Sequence, residues 1–114
     1  MRGLQLNENL LNVGAFFVKE TKTAPEYRIW TINEIHPAMQ RVLDNGAAID
    51  LEVWDVPLSG LSSILLQEPA GLCIGKVTLA DGEVVLGVLG EAALCDGKTE
   101  ITVFGGWRAY MALK

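Results

Sequence analysis

The chain has 114 residues, half of them hydrophobic and one-fifth charged, which suffices for one domain (residues 1–114) that builds its own core. Its formal net charge is -5, and Lys19 and Lys22 lie beside Glu20 and Glu26, so no basic stripe forms. That balance argues against nucleic acid and anionic membranes as partners, and no apolar run reaches the roughly 18 residues of a spanning helix.

Met1-Arg2-Gly3-Leu4 lacks the features of a signal peptide, so a cytoplasmic location is expected. Leu6, Leu10 and Leu11 share one helical face and Asn7 can cap it, which predicts a short helix over 6–12 ending near Gly14. Residues 13–19 are apolar and β-branched or aromatic and predict a strand. Ala24-Pro25 makes a turn. Tyr27–Ile32 then alternates with bulk on both sides, the pattern of a strand covered on both faces. His36-Pro37-Ala38-Met39 reads as a loop and Asn45-Gly46 as a turn.

Residues 47–56 predict a strand with Ile49, Leu51 and Val53 facing one way and Asp50, Glu52 and Trp54 the other, where the acidic pair would meet water. Pro57 stops it and suits the first turn of a helix. Leu58, Leu61, Ile64 and Leu65 follow at helical spacing until Pro69 and Gly71. Residues 72–79 and 83–89 predict a hairpin around Ala80-Asp81-Gly82, with positive φ at both central residues. Residues 91–98 read as a loop and residues 100–110 as a short closing strand or helix.

The densest cluster lies at 104–110. Gly105 and Gly106 let the backbone bend or approach something closely, and Trp107, Arg108 and Tyr110 can stack or hydrogen-bond. The C-terminus is therefore expected to fold back over a core or a cavity, with Trp107 and Tyr110 closing it. Strands outnumber helices, and the hairpins favour a mixed or antiparallel sheet whose closure into a small barrel would hide its edges. Cys73 and Cys95 sit in apolar surroundings and read as buried reduced thiols; without a CxxC motif, no metal site is expected.

Four segments resemble the C-terminal domain of allophanate hydrolase, in the same order and at similar spacing. They are Thr23-Ala24-Pro25-Glu26-Tyr27-Arg28, Gly46-Ala47-Ala48-Ile49-Asp50-Leu51-Glu52-Val53-Trp54, Leu72-Cys73-Ile74-Gly75-Lys76-Val77 and Thr102-Val103-Phe104-Gly105-Gly106-Trp107-Arg108-Ala109-Tyr110. That domain belongs to the γ-glutamylcyclotransferase-like superfamily. The resemblance implies an α+β fold, a small mixed or antiparallel β-barrel with flanking helices. In γ-glutamylcyclotransferases a substrate-binding loop of the form Tyr-Gly-Ser-Leu follows the first strand. Met1-Arg2-Gly3-Leu4 resembles the residues just after such a loop. Gly3 and Leu4 are carried over as substrate-binding, and the first strand and the loop itself are expected to be missing. Either the true start lies upstream or the usual anion cradle is absent.

The same superfamily has one catalytic carboxylate after the helix that follows the long strand, and Glu68 occupies the matching place. Allophanate hydrolase domains usually have an apolar residue there. Their domain is associated with decarboxylation of a carboxycarbamate and with a histidine near the domain start, where this chain has none.

Each candidate has a plainer alternative. Glu68 is either a general acid/base in a partly dry site or a solvated carboxylate at a helix end. Arg108 either clamps a substrate carboxylate or satisfies carbonyls or an acidic partner. Tyr27 is a substrate-binding candidate or a packing residue, and Arg28 faces the same end. His36, the only histidine, reads as structural or exposed. The expected function is a small-molecule enzyme, or a relic of one, acting without a cofactor on an amino-acid-like or carbamate-like anion. The alternative is a non-catalytic ligand-binding or assembly module, and an exposed edge where the first strand is missing leads to the expectation of a homodimer.

Overall fold

The computed structural model describes residues 10–113. A helical turn ends at Asn12, within the helix expected over 6–12; the rest of that helix, the expectation about a first strand, and Gly3 and Leu4 fall outside the described residues. Seven strands follow: β1 (Phe16–Lys22), β2 (Tyr27–Ile32), β3 (His36–Arg41), β4 (Asp50–Asp55), β5 (Leu72–Thr78), β6 (Val84–Gly90) and β7 (Thr99–Glu100). The helices are α1 (Leu58–Gln67), α2 (Ala92–Cys95) and α3 (Trp107–Met111), with a 3-10 turn at Thr102–Phe104. The fold is α+β.

Among the described residues every strand ladder is antiparallel, with one isolated parallel bridge between Asp50 and Gly106, but the expected barrel does not close. Among the described residues the strands form three sheets, ordered β1-β4, β3-β2-β7 and β5-β6. Single bridges at Thr23–Leu79 and Tyr27–Ala47 connect chain segments beyond these ladders. Where β3 meets β6, side chains rather than hydrogen bonds make the joint: a methyl group at Gly90 would stand 2.7 Å from the Ala38 Cβ. Packing of this kind lets sheets wrap a shared core without one continuous ladder.

That core holds Tyr27, Ile29, Met39, Ile49, Val77, Ile101 and Trp107. The opposite face of β2–β3 packs Ile32, Ala38 and Cys95 with Trp30, Leu72 and Leu94. β2 is thus covered on both sides, which explains its double set of bulky residues. Tyr27 is fully buried, and its hydroxyl accepts from the Thr78 N–H at 2.9 Å and from Arg41 Nη2 at 2.7 Å. Tyr27→Phe strands the Thr78 N–H, so a loss of about 1–3 kcal/mol is expected in urea unfolding. A loss near zero would mean that water takes over the bond.

Four local expectations are corrected. His36-Pro37-Ala38-Met39 is not a loop but the start of β3. An edge strand accepts proline where no ladder N–H is needed, and Asn33 and Glu34, both at positive φ, make the turn before it. At the second hairpin only Gly82 has positive φ, not Asp81. The Gly82 N–H bonds to the Leu79 carbonyl and the Leu79 N–H to the Glu83 carbonyl, a three-residue loop in which glycine takes the left-handed position. Residues 91–98 contain the short helix α2 rather than only a loop. Both cysteines are free thiols, as expected, but only Cys95 is buried. Cys73 is exposed, because its face of β5 passes from core-packed Val77 to solvent at the strand's start.

The closing segment does fold back. Gly105, at φ 86°, turns the chain, and its carbonyl accepts the Asp50 N–H at 2.7 Å. Gly106 then passes so close to β4 that an added Cβ would lie 2.9 Å from the Asp50 carbonyl oxygen. This approach seats Trp107 in the core.

Candidate functional site

α1 begins after Pro57 and ends at Glu68, whose N–H still bonds to the Leu65 carbonyl. Pro69 forbids a helical conformation in the residue before it, and Glu68 accordingly has ψ 153°. Its side chain therefore leaves the helix axis. The carboxylate ends up beside β3, with Glu68 Oε2 2.8 Å from His36 Nδ1.

The two partners differ in exposure. The Glu68 side chain is 6% exposed and that of His36 30%. Oε2 has no well-aligned hydrogen-bond donor among the described residues, so the imidazole meets it as an ion-pair partner rather than through a regular hydrogen bond. Burial pushes the Glu68 carboxyl above its ordinary range, and the charge of His36 pulls part of the way back. The arrangement is a nearly dry carboxylate behind an imidazole that reaches solvent. It can hold a proton, pass it, or stabilise an imidazolium facing a ligand.

The other candidates lie elsewhere. Arg108 Nη1 stands 3.4 Å from Glu52 Oε2 and 3.7 Å from Glu20 Oε1, while Trp54 Nε1 donates to Glu52 Oε1 at 3.2 Å. Glu20 and Glu52 are opposite each other in the β1–β4 ladder, a repulsive pair that the guanidinium offsets. The acidic-partner alternative for Arg108 is the one observed. Glu52 is not in water as its strand alternation suggested: its side chain is only 5% exposed, covered as Trp54 folds over it and Arg108 comes from α3. Asp50 does face solvent, paired with Lys22 Nζ at 2.5 Å. Arg28 pairs with Glu100 at 2.6 Å. Tyr27 is held inside the core as described above.

The structure thus brings together Glu68 and His36, and brings neither Arg108 nor Tyr27 into contact with them. The pairing of His36 with Glu68 was not legible from its surroundings in sequence, because the two lie 32 residues apart across a helix. The one available signal was its status as the sole histidine. Among the described residues no group of three His, Cys, Asp or Glu side chains is placed to hold a metal ion. No helix among them is long and apolar enough to cross a membrane.

Comparison with known proteins places these observations in a family. Residues 1–112 match the allophanate hydrolase C-terminal domain family. Urea amidolyase of Saccharomyces cerevisiae is 32% identical over 120 residues, covering 99% of this chain but 6% of its own length. Among solved structures, an uropathogenic E. coli-specific protein, c4763, is 50% identical with a TM-score of 0.93, covering 98% of this chain and 88% of that one. Allophanate hydrolase of Kluyveromyces lactis is 30% identical with a TM-score of 0.89, covering 98% of this chain and 19% of its own. The chain spans only a small part of the curated relatives it matches, and with the match running along nearly its full length, it belongs to the allophanate hydrolase C-terminal domain family.

Proposed function

We propose that this domain performs proton-transfer chemistry on a small amino-acid-like or carbamate-like anion, with Glu68 as acid/base and His36 as its partner at the solvent side. The observation that supports it most is the 2.8 Å contact between His36 Nδ1 and a carboxylate oxygen that is otherwise without a well-aligned donor among the described residues. The imidazole lies between the buried carboxylate and solvent, where a ring N–H can donate a hydrogen bond to an anion. The resemblance of the Glu68 position to the catalytic carboxylate of γ-glutamylcyclotransferases supports the same reading. On this view the three sheets are an opened form of that barrel. Relatives named urea amidolyase and allophanate hydrolase give a setting of small nitrogenous compounds, of which allophanate is a carboxylate. Arg108 is left out, since its guanidinium already faces Glu20 and Glu52.

The test is to incubate the full chain with a γ-glutamyl amine and, separately, with a carbamate, following release of amine and of carbon dioxide. Turnover of either that depends on Glu68 supports the reading. No turnover of either removes the catalytic reading.

A second reading, an assembly module that pairs with a copy of itself, is favoured by Val84 and Leu86, exposed on the two-stranded β5–β6 sheet. Sedimentation velocity at about 20 μM, a concentration that populates a dimer of micromolar affinity, should then give a dimer. A monomer at that concentration contradicts it.

A further inference from the structure

Asn45-Gly46 stands in the connection from β3 to β4, and the fold dictates both residues. Asn45 sits at φ 61°, in the left-handed region that asparagine tolerates better than most residues. Gly46 lies against the turn before β2: a Cβ there would stand 2.7 Å from both the Cα and the carbonyl carbon of Glu26. Packing thus places an asparagine directly before a residue with no side chain. That order leaves nothing to hinder attack of the glycine nitrogen on the asparagine side-chain amide.

Three further observations bear on that attack. Asn45 is exposed, and its side chain makes no hydrogen bond among the described residues. Residues 43–45 are all exposed, Leu43 fully, so little packing holds the turn against rotation. The Gly46 N–H, which must lose its proton, has no hydrogen-bond acceptor among the described residues. Finally, Arg28 Nη1 donates to the Asn45 carbonyl oxygen, while Arg28 Nε holds Glu100 at 2.6 Å. When the Gly46 nitrogen gives up its proton, the negative charge spreads through the conjugated peptide bond to that same oxygen. A guanidinium already aimed at it stabilises the anion, as a preorganised donor does at an oxyanion.

We infer that Asn45 is a self-modification site, at which the Gly46 nitrogen, activated by Arg28, displaces the side-chain amide as ammonia. The bond from Gly46 N to Asn45 Cγ forms as the Cγ–Nδ2 bond breaks. The Gly46 proton passes to water, and the leaving nitrogen takes a proton from water and departs. Water then opens the resulting five-membered imide at one of its two carbonyls, giving aspartate or iso-aspartate. No step needs an oxidant, a reductant or a cofactor. Either product adds a carboxylate near Arg28, in competition with Glu100. Iso-aspartate also adds one carbon to the backbone just before Ala47, whose N–H and carbonyl bridge to Tyr27 at 2.8 and 3.3 Å. The site is separate from the Glu68–His36 pair and does not depend on any activity there.

The test incubates the purified full chain at mildly alkaline pH and follows ammonia release and peptide masses, with an iso-aspartyl methyltransferase as the probe for iso-aspartate. Asn33 is the internal control: it is also exposed and left-handed, at φ 56°, but Glu34 follows it. Asn45 is expected to convert while Asn33 stays intact. Arg28→Lys keeps a cation for Glu100 but loses the forked donor that reaches the carbonyl as well. It should slow the native reaction at least about 3-fold, less than the loss of a buried oxyanion donor because this site is partly exposed. Arg28→Met should slow it to a similar degree. Neither variant should change the rate in the urea-unfolded chain, where no guanidinium is held in place. The inference is overturned if the native chain keeps the Asn45 amide while the unfolded chain loses it. It is equally overturned if either variant converts as fast as wild type, or if both slow the unfolded chain as much as the native one. Should neither variant fold, a native wild-type rate at or above the unfolded rate supports the inference, and a lower one overturns it.

Discussion

Glu68→Gln is expected to lower turnover of the γ-glutamyl amine or carbamate substrate by about 10²–10⁴-fold, the usual contribution of a positioned proton-transfer group. The substitution keeps shape and volume and removes only the titratable proton. The fold should survive it, and the direction of the stability change is set by burial. Burial raises the Glu68 pKa above the ordinary value of 4.5, so the folded state binds a proton more tightly than the unfolded chain. That stabilising contribution is complete below the unfolded pKa and is lost as pH rises through the raised folded pKa. The wild-type domain should therefore lose stability across that interval, and Glu68→Gln should flatten the slope, becoming the more stable form above it. Urea unfolding at a series of pH values measures this, alongside the pH dependence of kcat/KM, whose carboxylate limb should lie above the ordinary value. Unchanged turnover in Glu68→Gln removes the carboxylate from catalysis. An unchanged pH slope would mean that the carboxylate is hydrated in solution.

Trp107→Ala should cost about 3–5 kcal/mol, the range for truncating a buried large aromatic residue. Trp107 is 6% exposed and packs in the main core beside Tyr27, Ile49 and Ile101, with the Tyr110 ring centroid 6.1 Å from its own. Its removal leaves a cavity where three chain segments converge: β2, β4 and the closing segment. Ordinary domains are stable by about 5–15 kcal/mol, so this single change takes a large share. At about 4 °C per kcal/mol for a chain of this size, the melting temperature should fall by roughly 12–20 °C. Val103→Ser, on an exposed side chain nearby, should stay within about 0.5 kcal/mol of wild type. A loss under about 1 kcal/mol for Trp107→Ala, small beside the usual cost of such a truncation, would mean that the closing segment does not seal the core.

Local physics was legible from the residues alone wherever a pattern is short-range. The alternation in Tyr27–Ile32, the helix between Pro57 and Pro69, the hairpin at Asp81-Gly82 and the inward turn of the Gly105-Gly106-Trp107 run each depend on neighbours within a few positions. The place of Glu68 just past a helix end was equally legible, because Pro69 dictates it. Tertiary structure decided the rest, since the deciding partners are remote in sequence. β3 exists because β2 pairs with it and an edge strand tolerates Pro37. Glu52 is shielded by Trp54 and by an arginine 56 residues on, so alternation alone misjudged its surroundings. Whether sheets share one ladder or merely pack depends on contacts such as Gly90 against Ala38, which no periodicity encodes. The pairing of the only histidine with Glu68 is the clearest case. Each residue taken singly had an unremarkable alternative, and the pair forms only when folding carries a buried carboxylate to within ion-pair distance of an imidazole at the solvent edge.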